Sequence, residues 1–202
     1  GAGPIIGELH IPDLMYADDV TLMAVDSHAE MQGLLDALHL FCQLFGMEVN
    51  MRKTKIVIFR PIGKPVPKGL QGKTWLYAGS PVCVVEEERY LGLMLHGAQG
   101  PTYTVEQRAK AGSHAAHAML SKCVEVGLNR PDIVCMLFDY LVKPVLSYGC
   151  QIWGPYMAVK YLKDPLSPKI TPERVHTDFL RQVSGMPKFV HKASLYKEMG
   201  RE

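Results

Sequence analysis

Two adjacent carboxylates, Asp18 and Asp19, stand in the stretch LMYADDVTLMA, where apolar residues press in from both sides. Such flanks belong to strands that bury a face, while Asp-Asp is poor strand material and good turn material. The stretch therefore reads as a β-hairpin with two carboxylates at its tip. Paired carboxylates on a rigid mount suit a hard divalent cation such as Mg²⁺, which takes carboxylate and phosphate oxygens. A plain polar turn would explain a bare Asp-Asp pair equally simply.

A second candidate is a run of cations. Residues 1–50 contain eight acids and no Lys or Arg, whereas residues 51–75 contain Arg52, Lys53, Lys55, Arg60, Lys64, Lys68 and Lys73 and no acid. Acid followed by base suits a site that handles metal ions and polyanions, although a solvated basic loop has the same composition. Three other features carry less. GKT at residues 72–74 lacks the first Gly of a phosphate-binding loop, because Pro67 stands there, and no helix follows. His114 and His117 lie one turn apart without further ligands. Trp75 and Trp153 read as core anchors.

The elements that must position these residues follow from pattern. The chain has 202 residues, 48% of them apolar, and a net charge of +2, which fits one or two globular domains. It opens on Gly1 and reads as a piece of a longer protein. Five scattered cysteines with no C-x-x-C pair fit reduced thiols inside a cell. No apolar run reaches the roughly 18 residues of a membrane span, and no signal peptide or membrane partner is expected. Residues 4–10 read as a strand, 13–17 and 20–25 as the hairpin. Ser27 and Glu30 form a capping box that opens a helix carrying Leu34, Leu35, Leu38, Phe41, Cys42 and Phe45, which Gly46 stops. Residues 55–59 read as a strand and 61–73 as a loop. KTWLYAGSPVCVV reads as two strands around a turn at 78–81, and RYLGLML as a third. Helices are predicted over 104–126, 131–142, 172–184 and 190–199, with KPVLSYGCQIWGPY irregular between the second and third. The boundary between an α/β part and a helical part falls near residues 96–102.

The order of five stretches carries a resemblance. LMYADD, FCQLFGMEVNMRKTKIVIF (41–59), YLGL (90–93), LVKPVLSYGCQIWG (141–154) and FLRQVSGMPKFVHKASLYKEMG (179–200) follow one another as they do in the reverse transcriptase of non-LTR (LINE-type) retrotransposons. The chain resembles that enzyme from mid-palm through the thumb. The resemblance implies an α+β fold: a partial palm, with a small antiparallel sheet and one helix, over 1–98 including the primer-grip hairpin, and a helical thumb and connection over 99–202.

It also implies RNA-directed DNA synthesis by two-metal nucleotidyl transfer in the full-length parent, with Mg²⁺ or Mn²⁺, an RNA template, a DNA primer and dNTPs. The parent enzyme would work in the nucleus or cytoplasm. By position, Asp18 and Asp19 match the catalytic metal-binding pair, and Tyr16 and Ala17 lie beside the primer terminus. Lys53 matches a lysine that could act as general acid toward pyrophosphate, or could simply neutralise phosphate. Asn50 and Thr54 fit turn-building roles. Tyr90, Leu91 and Gly92 match the primer grip, while Arg52, Lys55, Lys64 and Lys68 would contact the nucleic-acid backbone. One departure matters: only seventeen residues precede Asp18, and neither Glu8 nor Asp13 sits in the family's upstream motif that supplies a third carboxylate. Without it and the fingers, the chain alone is expected to be inactive and to bind Mg²⁺ weakly. The alternative is a non-catalytic nucleic-acid-binding remnant or a decayed element fragment.

Overall fold

The computed structural model describes residues 3–25, 27–163 and 171–200. The chain is mixed α+β and divides into two units: residues 1–88 with 96–99, and residues 89–95 with 100–202.

In the first unit the N-terminal stretch is a small hairpin, β1 (Ile5–Ile6) and β2 (Leu9–His10), rather than one strand. Gly7 makes the reversal possible with a φ of 65°. β3 (Asp13–Tyr16) and β4 (Asp19–Leu22) form the acid-tipped hairpin. Helix α1 (His28–Phe45) starts where Ser27 Oγ accepts from the Glu30 N–H at 3.1 Å and stops at Gly46, whose φ of 64° fits a left-handed cap. Leu35 and Cys42 are buried, whereas Phe41 and Phe45 lie on the surface with their rings 4.6 Å apart.

β5 (Lys55–Val57), β6 (Trp75–Tyr77) and β7 (Ser80–Val85) form a three-stranded sheet in the order β5-β7-β6. β6 and β7 are antiparallel across the Ala78-Gly79 turn, which leaves β7 parallel to β5. The palm-like reading of a single small antiparallel sheet needs correcting in this respect. The acid-tipped hairpin is a separate two-stranded sheet, and the long 61–73 connection lets β7 arrive beside β5 in the parallel sense. Leu35, Ile56, Trp75, Tyr77 and Val82 form the core of this unit. Gln32 on α1 closes the open edge of β6, donating to Leu76 O at 2.8 Å and accepting from Leu76 N at 2.9 Å.

RYLGLML is a hairpin rather than a single strand: β8 (Glu87–Tyr90) turns at Leu91-Gly92 into β9 (Leu93–His96). Both turn residues take positive φ, 44° and 81°, as a type I′ hairpin turn requires.

The second unit is helical. α2 (Pro101–Glu125) packs against α3 (Pro131–Leu137), a π-helical turn (Phe138–Val142) and α4 (Lys143–Ser147). KPVLSYGCQIWGPY, expected to be irregular, is almost wholly helical: α4 runs into α5 (Cys150–Lys163) with a break only at Tyr148-Gly149. The prolines mislead here because each is accommodated. Pro144 sits at the start of α4, where its missing N–H costs little, directly after a π turn in which Lys143 N bonds Phe138 O. Pro155 lies inside α5. α6 (Pro172–Ser184) and α7 (Lys192–Glu198) complete the unit. Ala109, Met119, Val134, Phe138, Val142, Leu146, Phe179, Leu180 and Leu195 are among its core residues. Gly112 permits the close approach of α4, since a Cβ there would lie 2.0 Å from Leu146 Cδ2. No single helix among the described residues is long and apolar enough to cross a membrane.

Candidate nucleotidyl-transfer and nucleic-acid site

The register of the acid-tipped hairpin fixes what its tip presents. Tyr16 pairs with Asp19, so Ala17 and Asp18 form a two-residue turn. Ala17 has a φ of 53° while Asp18 stays outside the left-handed region, the φ signs of a type II′ turn that ordinarily calls for Gly at its first position. An L-residue held there costs on the order of 1–2 kcal/mol. Residues 14–20 are all exposed, and Leu22, at the far end of β4, packs against the core. Asp18 is thus held out on a strained turn and Asp19 beside it as the first residue of β4, and among the described residues neither side chain has a hydrogen-bond or ion-pair partner.

The base of the hairpin is clamped from α1. Met23 N donates to Pro12 O at 2.7 Å. Glu30 accepts from Gly3 N at 2.6 Å and from Val25 N at 3.1 Å, instead of reaching back to Ser27 as a capping box would. The Gly3 bond first, then the Val25 bond, hold the Glu30 carboxyl below its ordinary value of 4.5, with burial working the other way. A lowered carboxyl stabilises the fold above its unfolded value and loses that contribution as pH falls through the folded value. The Val25 amide NMR shift should therefore titrate at a midpoint below 4.5, and Glu30→Gln should abolish the titration. A midpoint at or above the ordinary value contradicts the clamp.

Asn50 and Thr54 build the turn before β5. Asn50 Oδ1 accepts from Arg52 N at 3.1 Å and Lys53 N at 3.3 Å, and Thr54 Oγ1 donates to Asn50 O at 3.0 Å. The turn exposes Arg52 and Lys53; Lys64, Lys68 and Lys73 are exposed further along. None of these five makes an ion pair among the described residues. Lys55 is half-buried at the start of β5. Arg60 differs from the rest: its guanidinium pairs with Glu86 at 2.8 Å and donates from Nε to Lys64 O at 3.0 Å, so it braces the loop. No ion pair joins Lys53 to either aspartate.

Tyr16, Ala17, Asp18, Asp19, Arg52, Lys53, Lys55, Lys64 and Lys68 all belong to the first unit, whereas Tyr90, Leu91 and Gly92 belong to the second. Trp75 and Trp153 are buried, each donating its indole N–H to a backbone carbonyl. His114 and His117 are exposed, and β6 rather than a helix follows the GKT stretch.

Two exposed carboxylates without partners fit a Mg²⁺ ion of the kind that takes one or two carboxylates, with phosphate oxygens and water completing the shell. Among the described residues no group of three or more His, Cys, Asp or Glu side chains could hold a metal ion, so the pair is at most part of a site whose remaining ligands come from substrate or from other chain. The signals missed in the sequence are the Glu30 clamp and the structural duty of Arg60; each joins a near partner to one 26 or more positions away, which no local pattern announces.

No protein-family description and no solved structure matches the chain. It is similar to an uncharacterized transposon-derived protein of Caenorhabditis elegans, 28% identical over 149 residues, which cover 71% of this chain and 49% of that protein. The chain spans about half the length of the curated relative it matches.

Proposed function

We propose that the chain is the part of a non-LTR retrotransposon reverse transcriptase that runs from mid-palm through thumb, and that its parent copies RNA into DNA. The observation that carries this reading is the Tyr16-Ala17-Asp18-Asp19 tip: adjacent, exposed carboxylates, Asp18 on a strained two-residue turn and Asp19 at the start of β4, with no partner for either among the described residues. The four other stretches in family order support it, as does similarity to a transposon-derived protein. Strain of this kind clusters at functional sites, where it fixes geometry ahead of the reaction.

In this reading Asp18 and Asp19 would hold a divalent ion whose remaining ligands come from substrate phosphates and water. The ion, when bound, supplies activation of the primer hydroxyl and neutralises charge on the departing pyrophosphate. Tyr16 lies beside the primer terminus. Lys53 protonates the departing pyrophosphate or neutralises its charge. Arg52, Lys55, Lys64 and Lys68 hold the nucleic-acid backbone, and Tyr90, Leu91 and Gly92 hold the primer strand.

Primer extension on an RNA template tests the reading in two arms. The 202-residue chain alone should yield no product with Mg²⁺ or Mn²⁺; product lost on Asp18→Ala would overturn its inertness. A parent chain that supplies fingers and the third carboxylate should extend the primer and lose that activity with Asp18→Asn. Undiminished extension by that variant would remove Asp18 from the chemistry. In the 202-residue chain, Asp18→Asn should leave the melting temperature unchanged or raised, because the substitution removes repulsion between neighbours and no hydrogen bond.

A further inference from the structure

The turn of the β8–β9 hairpin is built in an unusual way. Leu91, a γ-branched residue, holds a φ of 44°, a conformation whose cost must be met by its surroundings. Those surroundings come from the helical unit. Tyr148 Oη donates to Leu91 O at 2.7 Å. The Tyr148 ring lies over the next residue, so a Cβ on Gly92 would meet ring atoms at 3.1–3.3 Å. Thr104 Oγ1 donates to Met94 O at 2.6 Å, and Gly149 lets Leu93 come so near that a Cβ there would lie 2.8 Å from Leu93 Cδ2.

Tyr148 is itself fixed. It occupies the break between α4 and α5, with a φ of −56° and a ψ of 124°, followed by Gly149 at a φ of 71°. Trp153 Nε1 donates to Tyr148 O at 3.0 Å, and the Arg108 guanidinium lies 5.6 Å from the ring centroid. The interruption of an otherwise continuous helical run thus has a product: one aromatic side chain aimed at one turn.

We infer that Tyr148 is the positioning residue of the Leu91-Gly92 turn, its hydroxyl and ring setting the turn's backbone where a nucleic-acid strand would meet it. The second half of that statement rests on the function proposed above; the first does not. The two-residue turn asks for a positive φ at Leu91, but a leucine held there carries strain that favours relaxation. The hydroxyl bond and the ring stop that relaxation without touching a ligand.

Tyr148→Phe in the full 202-residue chain separates these effects, because it keeps the ring and deletes only the bond to Leu91 O. Amide hydrogen exchange over residues 90–93 should accelerate about three- to tenfold, the loss of one net hydrogen bond, while exchange in α2 and α6 stays unchanged. Affinity for an RNA–DNA primer–template duplex should fall by a similar factor. Gly92→Ala, which drives a Cβ into the ring, should accelerate the same amides. Unchanged exchange at 90–93 in Tyr148→Phe overturns the positioning role. Faster exchange with unchanged duplex affinity overturns its link to nucleic acid. A parent chain that binds no duplex refutes the proposed function, and the exchange measurement then decides the positioning role by itself.

Discussion

Truncating Phe138 to alanine should cost about 3–5 kcal/mol, the usual range for removing a fully enclosed phenyl ring. Phe138 is 1% exposed and stacks on Phe179 at 4.1 Å and on His176 at 5.1 Å. It lies on the π turn, where α3 gives way to α4, and so joins α2, α6 and the α3–α4 run into one core. Neighbours packed from several elements cannot close over the vacated volume together. For a unit about half the chain in length the loss corresponds to a fall of roughly 12–25 °C in its melting temperature. Because the two units have separate cores, the transition of the helical unit should shift while near-ultraviolet signals from Trp75 in the other unit hold. A shift below about 1 kcal/mol would mean that the π turn is not a core element.

Replacing Arg52, Lys55, Lys64 and Lys68 together by Gln should weaken binding to an RNA–DNA duplex on the order of 10³-fold near 0.1 M salt. Each cation that neutralises a phosphate releases counterions and contributes about 0.9 to the slope of log K against log salt. Four such contacts contribute roughly 3 to 4, and the slope should flatten by that amount. Arg52, Lys64 and Lys68 are exposed and make no ion pair among the described residues, which leaves them open to phosphate; Lys55, half-buried, should contribute least. Neutralising Lys122 and Arg130, which pair with Glu125 and Asp132 at 2.6 Å each, serves as the control and should change little. A slope that does not move assigns the basic run to a solvated loop.

What could be read in the sequence is what short-range chemistry dictates. Ser27 and Gly46 bracket α1 by capping, as the structure has them, and Asp-Asp between apolar strands marks a turn, which the structure places one residue earlier, at Ala17-Asp18, with Asp19 opening β4. A partner far along the chain leaves no such local trace. Leu91 gives no local sign of adopting a left-handed conformation, because the residue that holds it is Tyr148. Pro144 and Pro155 look like helix breakers until the π turn and the packing against α2 are known. The parallel pairing of β5 with β7 is set by the excursion over residues 58–79, which no periodicity describes. At the candidate site, residue types suggested which groups do chemistry, but not that Glu30 clamps the hairpin base or that Arg60 is withdrawn from the basic run into a brace.

In the function proposed, the Asp18-Asp19 tip meets the growing end of a primer. Tyr16 is 64% exposed and pairs across the hairpin with Asp19, so a photoreactive phenylalanine analogue at position 16 should fold without disturbing the core. Irradiated with an RNA template carrying a recessed DNA primer, it should crosslink to the primer within the last one or two nucleotides of its 3′ end. A crosslink spread evenly along the duplex, or none under salt conditions where the duplex is bound, would contradict the account.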